Sequence, residues 1–397
     1  MKRALLIVVL LLLGGLLDYD NTLAVREYQD PEPLIYNVKP REGGLVFALE
    51  NTDIQLARLT IEEVWSGSEW VEFPAESEAG YVVTFDTTAL PPFMVLRYWW
   101  DGTRDNMTPF WTEPDFTEVT DTSQDWQKLE GTYADVFWYD RPQDYGQRAL
   151  MDAEAQLTRL VTRFGEPIPT KARVVIYQRQ DDYGTSGLRS GEAQARYGVT
   201  VQWPCQYDEE YLFNVTIPHE ITHLWLWPYR FYIPAWFAEG FAVWSEPHNH
   251  AEQVTLLKRM GPRDELYEWR ALQYRTYSNA ETMQRWYAQA YGMVAYIDQA
   301  GDLGALFAQL RQENADFEYA VRAATDGLNS AQVLAAFSET IGAPKRESTS
   351  RTTGTVIDPG EVTVKVDWLL VGVTLLTLIA LQITRLQMRR DAQRSKK

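Results

Sequence analysis

Two histidines four residues apart, His219 and His223, constrain the fold of this 397-residue chain more than any other feature. They belong to the run His219-Glu220-Ile221-Thr222-His223, and on an α-helix residues i and i+4 lie on one face. Both imidazoles can then bind one metal ion, while Glu220 can contact a water molecule on that ion. The run therefore predicts a helix that presents these three side chains to a cavity open to solvent.

Catalytic zinc sites use three protein ligands and one water, so a third protein ligand is needed. A third histidine shortly after the motif is excluded, because Leu224-Trp225-Leu226-Trp227-Pro228 follows. Glu239 is the only charged residue in the run 231–244, and a buried carboxylate is costly unless it is paired or coordinated. We expect Glu239 to be the third ligand. An exposed position, or a salt bridge to an arginine, is the alternative.

The run HEITH followed by PAWFAEGFAVW resembles the gluzincin zinc metallopeptidases, in particular the peptidase MA-like family, whose pattern is H-E-x-T-H and then P-x-W-x-x-E-G-x-A. The resemblance extends from about residue 126 to residue 342. It includes the run Tyr287-Ala288-Gln289-Ala290-Tyr291, which is similar to the family's Y-A-Q-S element. It implies an α+β gluzincin-like catalytic domain. The β-rich segment before it is similar to the immunoglobulin-like domain that precedes such peptidases.

The resemblance also implies the chemistry. His219, His223 and Glu239 would bind Zn²⁺, one ion per chain, and Glu220 would take a proton from the water on that ion and pass it to the leaving amine. The implied function is zinc-dependent hydrolysis of peptide bonds in a protein or peptide substrate. The alternative hypothesis is a catalytically inactive surface binding or scaffold protein that retains the peptidase fold.

Tyr287 and Tyr291 are the candidate donors of a hydrogen bond to the oxyanion, and they lie one helical turn apart. Tyr287 takes the place of the family's catalytic tyrosine, whereas Ala290 stands where the family element carries serine. No G-x-M-x-N motif for binding a free amine precedes the zinc helix, which favours an endopeptidase. The strand predicted over 198–203 could pair with an extended substrate, as edge strands can.

The sequence indicates the residues that orient the zinc ligands less clearly than the ligands themselves. Relatives of the thermolysin type have a carboxylate one turn after the third ligand, and Val243 takes that position here. We therefore expect the orienting group elsewhere, with Ser245 and Glu246 as candidates. His248 and His250 are interpreted as part of a solvated loop rather than as metal ligands.

Short strand patterns separated by turn signals predict a β-sandwich over residues 26–122, and strands followed by helices predict the catalytic domain over 126–343. The apolar residues of 150–164 recur at helical spacing, and Gly165 follows as a stop signal. Pro218 either lies in the first turn of the zinc helix or kinks a helix that begins nearer Asp208.

Both termini indicate export and anchoring. A short apolar run after Lys2 and Arg3 predicts a signal peptide, residues 1–24. A polar linker over 344–363 precedes a predicted single transmembrane helix, residues 364–386, and a basic tail, residues 387–397. The expected location is the cell membrane, with the lipid bilayer as a partner, the catalytic domain outside and the tail in the cytoplasm.

The net charge of −18 argues against nucleic-acid binding, because an acidic surface repels phosphate. The single cysteine, Cys205, excludes an intramolecular disulfide framework and a cysteine zinc cage, and we interpret it as a small buried residue. The sequence gives no indication of oligomeric state.

Overall fold

The computed structural model describes residues 34–51, 53–77, 80–165, 168–179, 182, 192–202, 209–248, 250–275, 277–312 and 314–344. These residues belong to one compact unit, which ends at Pro344. The predicted signal peptide, transmembrane segment and tail lie outside the described residues, as do all but the first residue of the linker, and Cys205. In the described part of the chain, no helix is both long enough and apolar enough to cross a bilayer.

The first nine strands form two antiparallel sheets, with the orders β1-β2-β6-β5 and β4-β3-β7-β8. β9 also pairs with β7. Alternation within β6 places Val83 and Phe85 in the interior and exposes Thr84, as the sequence predicts. We call residues 36–118 the β-sandwich. Its strands are β1 Tyr36–Arg41, β2 Gly44–Leu49, β3 Ile54–Glu63, β4 Glu69–Glu72, β5 Ala75–Ser77, β6 Gly80–Asp86, β7 Val95–Arg104, β8 Pro109–Trp111 and β9 Asp115–Glu118.

A third sheet has the order β10-β11-β12-β14-β13, in which the three inner strands are parallel and the two outer strands are antiparallel. Its strands are β10 Gln127–Glu130, β11 Ala134–Trp138, β12 Ala172–Ile176, β13 Glu192–Gln194 and β14 Val199–Gln202. The inner strands are buried along their whole length, as is usual for parallel strands covered on both faces.

The position of β14 corrects one prediction. The strand expected over 198–203 is present, but it lies between β12 and β13 and is not an edge. In the described residues, the edge of the sheet next to β14 is β13, which pairs with β14 from Glu192↔Val201 to Gln194↔Val199.

Helix α1, Gln143–Phe164, connects β11 to β12 and ends at Gly165, whose φ of 75° is the left-handed conformation typical of a helix stop. The remaining α-helices follow β14 in the chain. They are α2 Ile217–Leu226, α3 Ala235–Ser245, α4 Ala251–Met260, α5 Trp269–Leu272, α6 Ala280–Ala300, α7 Leu303–Leu310, α8 Phe317–Ala324 and α9 Ser330–Thr340.

The start of α2 resolves the two alternatives for Pro218. A helical segment already begins at Glu209–Tyr211 and passes through a π-helical stretch, Leu212–Thr216, before α2. Proline has no backbone N–H, and its ring collides with the carbonyl four residues earlier. The helix therefore does not start at Pro218, but widens into a π-helical turn just before it.

The β-sandwich covers the face of the third sheet opposite the helices. Inward residues of the sandwich and of β11, β12 and β14 belong to one hydrophobic cluster. Phe93 stacks on Phe137, with ring centroids 3.9 Å apart and planes 12° apart. Arg173 of β12 donates to Glu118 at 2.6 Å and also pairs with Asp135. The two parts therefore share a core instead of meeting through a linker.

A second contact joins the turn after β3 to the segment before β14. Arg196 makes two hydrogen bonds to the buried Glu63, at 2.8 and 2.7 Å. Trp65 packs directly against Gly198, where a Cβ would lie 2.0 Å from the indole nitrogen. The carbonyl of Trp65 accepts a hydrogen bond from the Trp227 indole at 3.0 Å. We call residues 63–68 the bracing turn.

Candidate metal centre

The three predicted ligands lie together. The Nε2 atoms of His219 and His223 are 3.2 Å apart, and each lies 3.5 Å from one oxygen, Oε2, of Glu239. His219 and His223 lie on one face of α2, and Glu239 projects from α3. Glu239 is buried, with 3% of its surface exposed. The donor set of two imidazoles and a carboxylate could hold a metal ion.

A buried polar network fixes α2 against α3. Gln156 of α1 donates to Thr222 at 2.6 Å and to Ser245 at 2.9 Å, and the two hydroxyls are 2.8 Å apart. Thr222 is the fourth residue of the HEITH run, and Ser245 ends α3. Because α2 carries both histidines and α3 carries Glu239, this network sets the distance between the ligands.

Glu246 orients the first histidine. Its Oε1 lies 2.8 Å from Nδ1 of His219, and its Oε2 lies 2.8 Å from Nε2 of His248. A carboxylate on Nδ1 holds the imidazole with Nε2 directed at a metal ion. Of the two candidates from the sequence, Glu246 takes this role, and Ser245 belongs to the network between the helices.

Neighbouring charges keep His219 and Glu239 in their charged forms. Burial lowers the pKa of His219, but its hydrogen bonds to Glu239 and Glu246 outweigh that effect and hold the pKa well above the ordinary value. Burial raises the pKa of Glu239, but the two histidines hold it well below the ordinary value. The remaining oxygen of Glu239, Oε1, accepts a short hydrogen bond from Arg275. Glu239 therefore pairs with Arg275 through Oε1 and faces the two histidines through Oε2.

The two candidate tyrosines point to different places. The Tyr287 ring lies 6.5 Å from the His219 ring, and the charge of Glu239 acts on its phenol. Burial and the charge of Glu239 raise the pKa of Tyr287, so its phenol remains a donor. The Tyr291 ring lies 4.7 Å from that of His250 instead.

The glycine after Glu239 is explained by helix packing. A Cβ on Gly240 would lie 2.4 Å from the carbonyl oxygen of Ala290, so α3 and α6 cross with their backbones almost in contact. Ala290 is fully buried at this crossing. Gln289 bonds both the N–H and the carbonyl of Tyr267, at 2.7 and 2.9 Å. The residues around the Y-A-Q run thus hold α6, which carries Tyr287, against the metal centre.

A cleft of about 1460 Å³ opens over the metal centre. Glu220 lines it beside the two histidines, and so do Tyr287 and Arg275. Ala195, directly after β13, and Gln202, at the end of β14, form part of its wall. A carboxylate, a phenol and three potential metal ligands therefore face one space large enough for a segment of polymer.

The segment 246–250 differs from the solvated loop that the sequence indicates. His250 is only 9% exposed, and its backbone φ of 51° is left-handed. His248 is partly exposed and contacts Glu246. This correction arises because the chain turns back between α3 and α4 and places the His250 ring on Tyr291.

Sequence reasoning missed two residues of the centre. Gln156 interrupts the apolar stripe of α1 at a position that faces the core, and that interruption was a usable signal. Arg275 lies between α5 and α6, more than thirty residues from Glu239, and no local pattern connects the two.

No family model matches this chain. No curated protein matches it either. Among solved structures, a polysaccharide deacetylase from Bacillus cereus is 13% identical over 39% of this chain and 54% of its own, with a TM-score of 0.21. A protein from Bacillus anthracis, provisionally assigned to the same enzyme class, is 12% identical with the same coverage and TM-score. This chain spans about half the length of each, and similarity at this level supports no argument.

Proposed function

We propose that this protein is a zinc-dependent peptidase of the gluzincin type. The observation that carries the proposal is the triangle formed by Nε2 of His219, Nε2 of His223 and Oε2 of Glu239, with sides of 3.2, 3.5 and 3.5 Å. A tetrahedral zinc ion with bonds of about 2.0–2.1 Å requires ligand atoms about 3.3–3.4 Å apart. The described side chains fit that ion without rearrangement.

The residues of the chain divide the chemistry among them. When bound, the zinc ion would lower the pKa of a water ligand toward about 7 and polarise the scissile carbonyl. Glu220 accepts the proton of the attacking water and returns it to the leaving amine. Tyr287, a neutral donor beside Glu239, donates a hydrogen bond to the developing oxyanion. Glu246 holds the imidazole of His219 in the ligating orientation.

The cleft favours an internal peptide segment as substrate. Its volume of about 1460 Å³ exceeds the roughly 300–1,000 Å³ of small-molecule pockets. The edge strand β13 leads into Ala195 on the cleft wall, so an extended peptide could add to this sheet edge. We therefore propose an endopeptidase. Export and a single membrane anchor are proposed from the terminal sequences alone.

One contact favours the alternative of an inactive binding or scaffold protein. Arg275 neutralises Glu239, and in a protein without a metal ion that ion pair would satisfy the buried carboxylate. The alternative predicts no stoichiometric zinc at His219, His223 and Glu239, and no cleavage of any peptide.

The test is the substitution Glu220→Gln in the purified full-length protein. Glutamine keeps the shape of the side chain but cannot accept the proton, so peptide cleavage should fall by at least roughly a hundredfold. Zinc content, measured by mass spectrometry, should stay as in the wild type, because Glu220 is not a ligand. His223→Ala is the matched variant that should lose the zinc ion of this centre together with cleavage. Wild-type cleavage by Glu220→Gln would contradict the mechanism, and absence of zinc from the wild type would favour the scaffold.

A further inference from the structure

A second cluster of potential ligands lies between α3 and α4. One carboxylate oxygen of Glu246 and one ring nitrogen each of His248 and His250 lie within 4.8 Å of one another. This set repeats the donor types of the first centre and shares no ligand with it, although Glu246 also contacts His219. All four histidines of the chain therefore belong to two clusters of the same composition.

His250 carries the strongest sign that the cluster is built for a ligand. Its side chain is more than nine-tenths buried, and its Nδ1 finds no hydrogen-bond partner among the described residues. A buried polar nitrogen without a partner destabilises the folded protein. The unsatisfied Nδ1 is accounted for if it binds a cation.

The cluster is reachable from solvent. Glu246, His248 and His250 all line the cleft, and the side chain of His248 is 32% exposed. Coordination through Nε2 of His248 places the ring proton on Nδ1. It thereby breaks the long contact, 3.2 Å, that Nδ1 now makes with the His250 N–H. That loss is small beside the satisfaction of the buried nitrogen of His250.

We propose that Glu246, His248 and His250 form a second binding site for a divalent transition-metal ion, with zinc as the ion that the donor set fits. The His219 imidazole and the Glu246 carboxylate separate the two sites. The ions are thus farther apart than the ~3.5–4 Å of two-metal catalytic centres, and they do not share a water molecule. The second ion fixes the carboxylate of Glu246, and through it the orientation of His219.

Counting bound zinc tests the site without relying on peptidase activity. Full-length protein is stripped with a chelator and equilibrated with saturating free Zn²⁺, and the bound metal is then measured. We expect two ions in the wild type, one in His223→Ala, one in the double variant His248→Gln/His250→Asn, and none when all three changes are combined. Asparagine suits position 250 because it tolerates the left-handed backbone. Glu252→Gln, which removes a nearby charge but no ligand, is the control and should keep two ions.

The outcomes separate clearly. One ion in the wild type and none in His223→Ala would overturn the second site and leave the first intact. Two ions that persist in the double variant would place the second zinc elsewhere and would also overturn it. If the double variant unfolds by circular dichroism, His248→Gln alone, at a partly exposed position, should still lower the count to one. Failure of the proposed peptidase function shows separately, as two bound ions without cleavage.

Discussion

Three glutamates within one cleft receive different roles from their neighbours. Glu239 is surrounded by two histidines and Arg275, which keep it anionic and aimed at the metal position. Glu246 bridges His219 and a second histidine, which lowers its pKa although burial raises it. Glu220 lines the open cleft beside the two histidines, where the proposed mechanism places the proton acceptor. The chemistry of each carboxylate follows from its contacts and not from its residue type.

Replacing Glu246 by glutamine should weaken zinc binding at the first centre. The amide cannot hold His219 as an anion does, and loss of such a partner costs roughly ten- to a hundredfold in metal affinity. The affinity is measured by chelator competition in a His248→Gln background, so that only the first centre is filled. Glu252→Gln in the same background should bind zinc as the parent does. Equal affinities in the two variants would rule out the orienting role.

Replacing Tyr287 by phenylalanine should lower kcat by about a hundred- to a thousandfold, because an oxyanion donor is lost. KM should change little, since the hydrogen bond forms chiefly in the transition state. Tyr291→Phe is the matched control one turn along α6, where the ring packs on His250. Steady-state kinetics on one fluorogenic peptide compare the two. A large loss of kcat in Tyr291→Phe, together with a wild-type kcat in Tyr287→Phe, would assign the role of oxyanion donor to Tyr291 instead.

At the scale of elements, three helices position the centre. Helix α2 supplies both histidines, α3 supplies Glu239 and α6 supplies Tyr287. The crossing of α3 and α6 is close because residue 240 has no side chain. The motif glycine is thus a packing requirement of the helix that carries the third ligand.

Gly240→Ala should therefore destabilise the protein and disturb zinc binding. The added methyl group meets the Ala290 carbonyl, a backbone atom that cannot move alone, and overpacking of this kind costs about 1–3 kcal/mol. Urea unfolding measures the loss. Gly304→Ala on α7 is the control, because the nearest atom to its Cβ is a side-chain oxygen of Asp302 at 3.0 Å. Similar costs in both variants would show that the crossing is not special.

The sequence predicts elements well where periodicity is strong. The helix predicted from the spacing of 150–164 is present and stops before Gly165, although it begins earlier, at Gln143. β7 continues to Arg104 through Asp101 and Gly102, residues typical of turns, because pairing with β3 and β8 extends it. The sequence indicates 198–203 as the edge strand, because the three residues of β13 are too few to give a strand pattern. Arg275 and the buried His250 depend on how distant segments meet, and local patterns do not encode that.

At the scale of the molecule, the bracing turn connects the sandwich to the wall of the cleft. Trp65 contacts Gly198 before β14, and its carbonyl accepts from Trp227 after α2. Trp227 and Ala195 both line the cleft. The sandwich therefore supports this part of the cleft wall.

Trp65→Ala should lower the free energy of unfolding by about 3–5 kcal/mol, as expected for loss of a buried tryptophan. Because the bracing turn supports the cleft, peptide KM should rise as well. Calorimetry gives the stability and steady-state kinetics give KM. Trp111→Ala, at a tryptophan 37% exposed on β8, should change stability by no more than about 0.5 kcal/mol. Equal stability changes at the two positions would contradict the bracing role.

The shared hydrophobic cluster between the sandwich and the third sheet also limits how such a chain can evolve. A fragment beginning at residue 126 would leave one apolar, aromatic face of the third sheet uncovered, which favours aggregation. Recombination that exchanges one half for a foreign counterpart meets the same barrier. The two halves should therefore be inherited together, with compensating substitutions on both sides of the shared hydrophobic cluster.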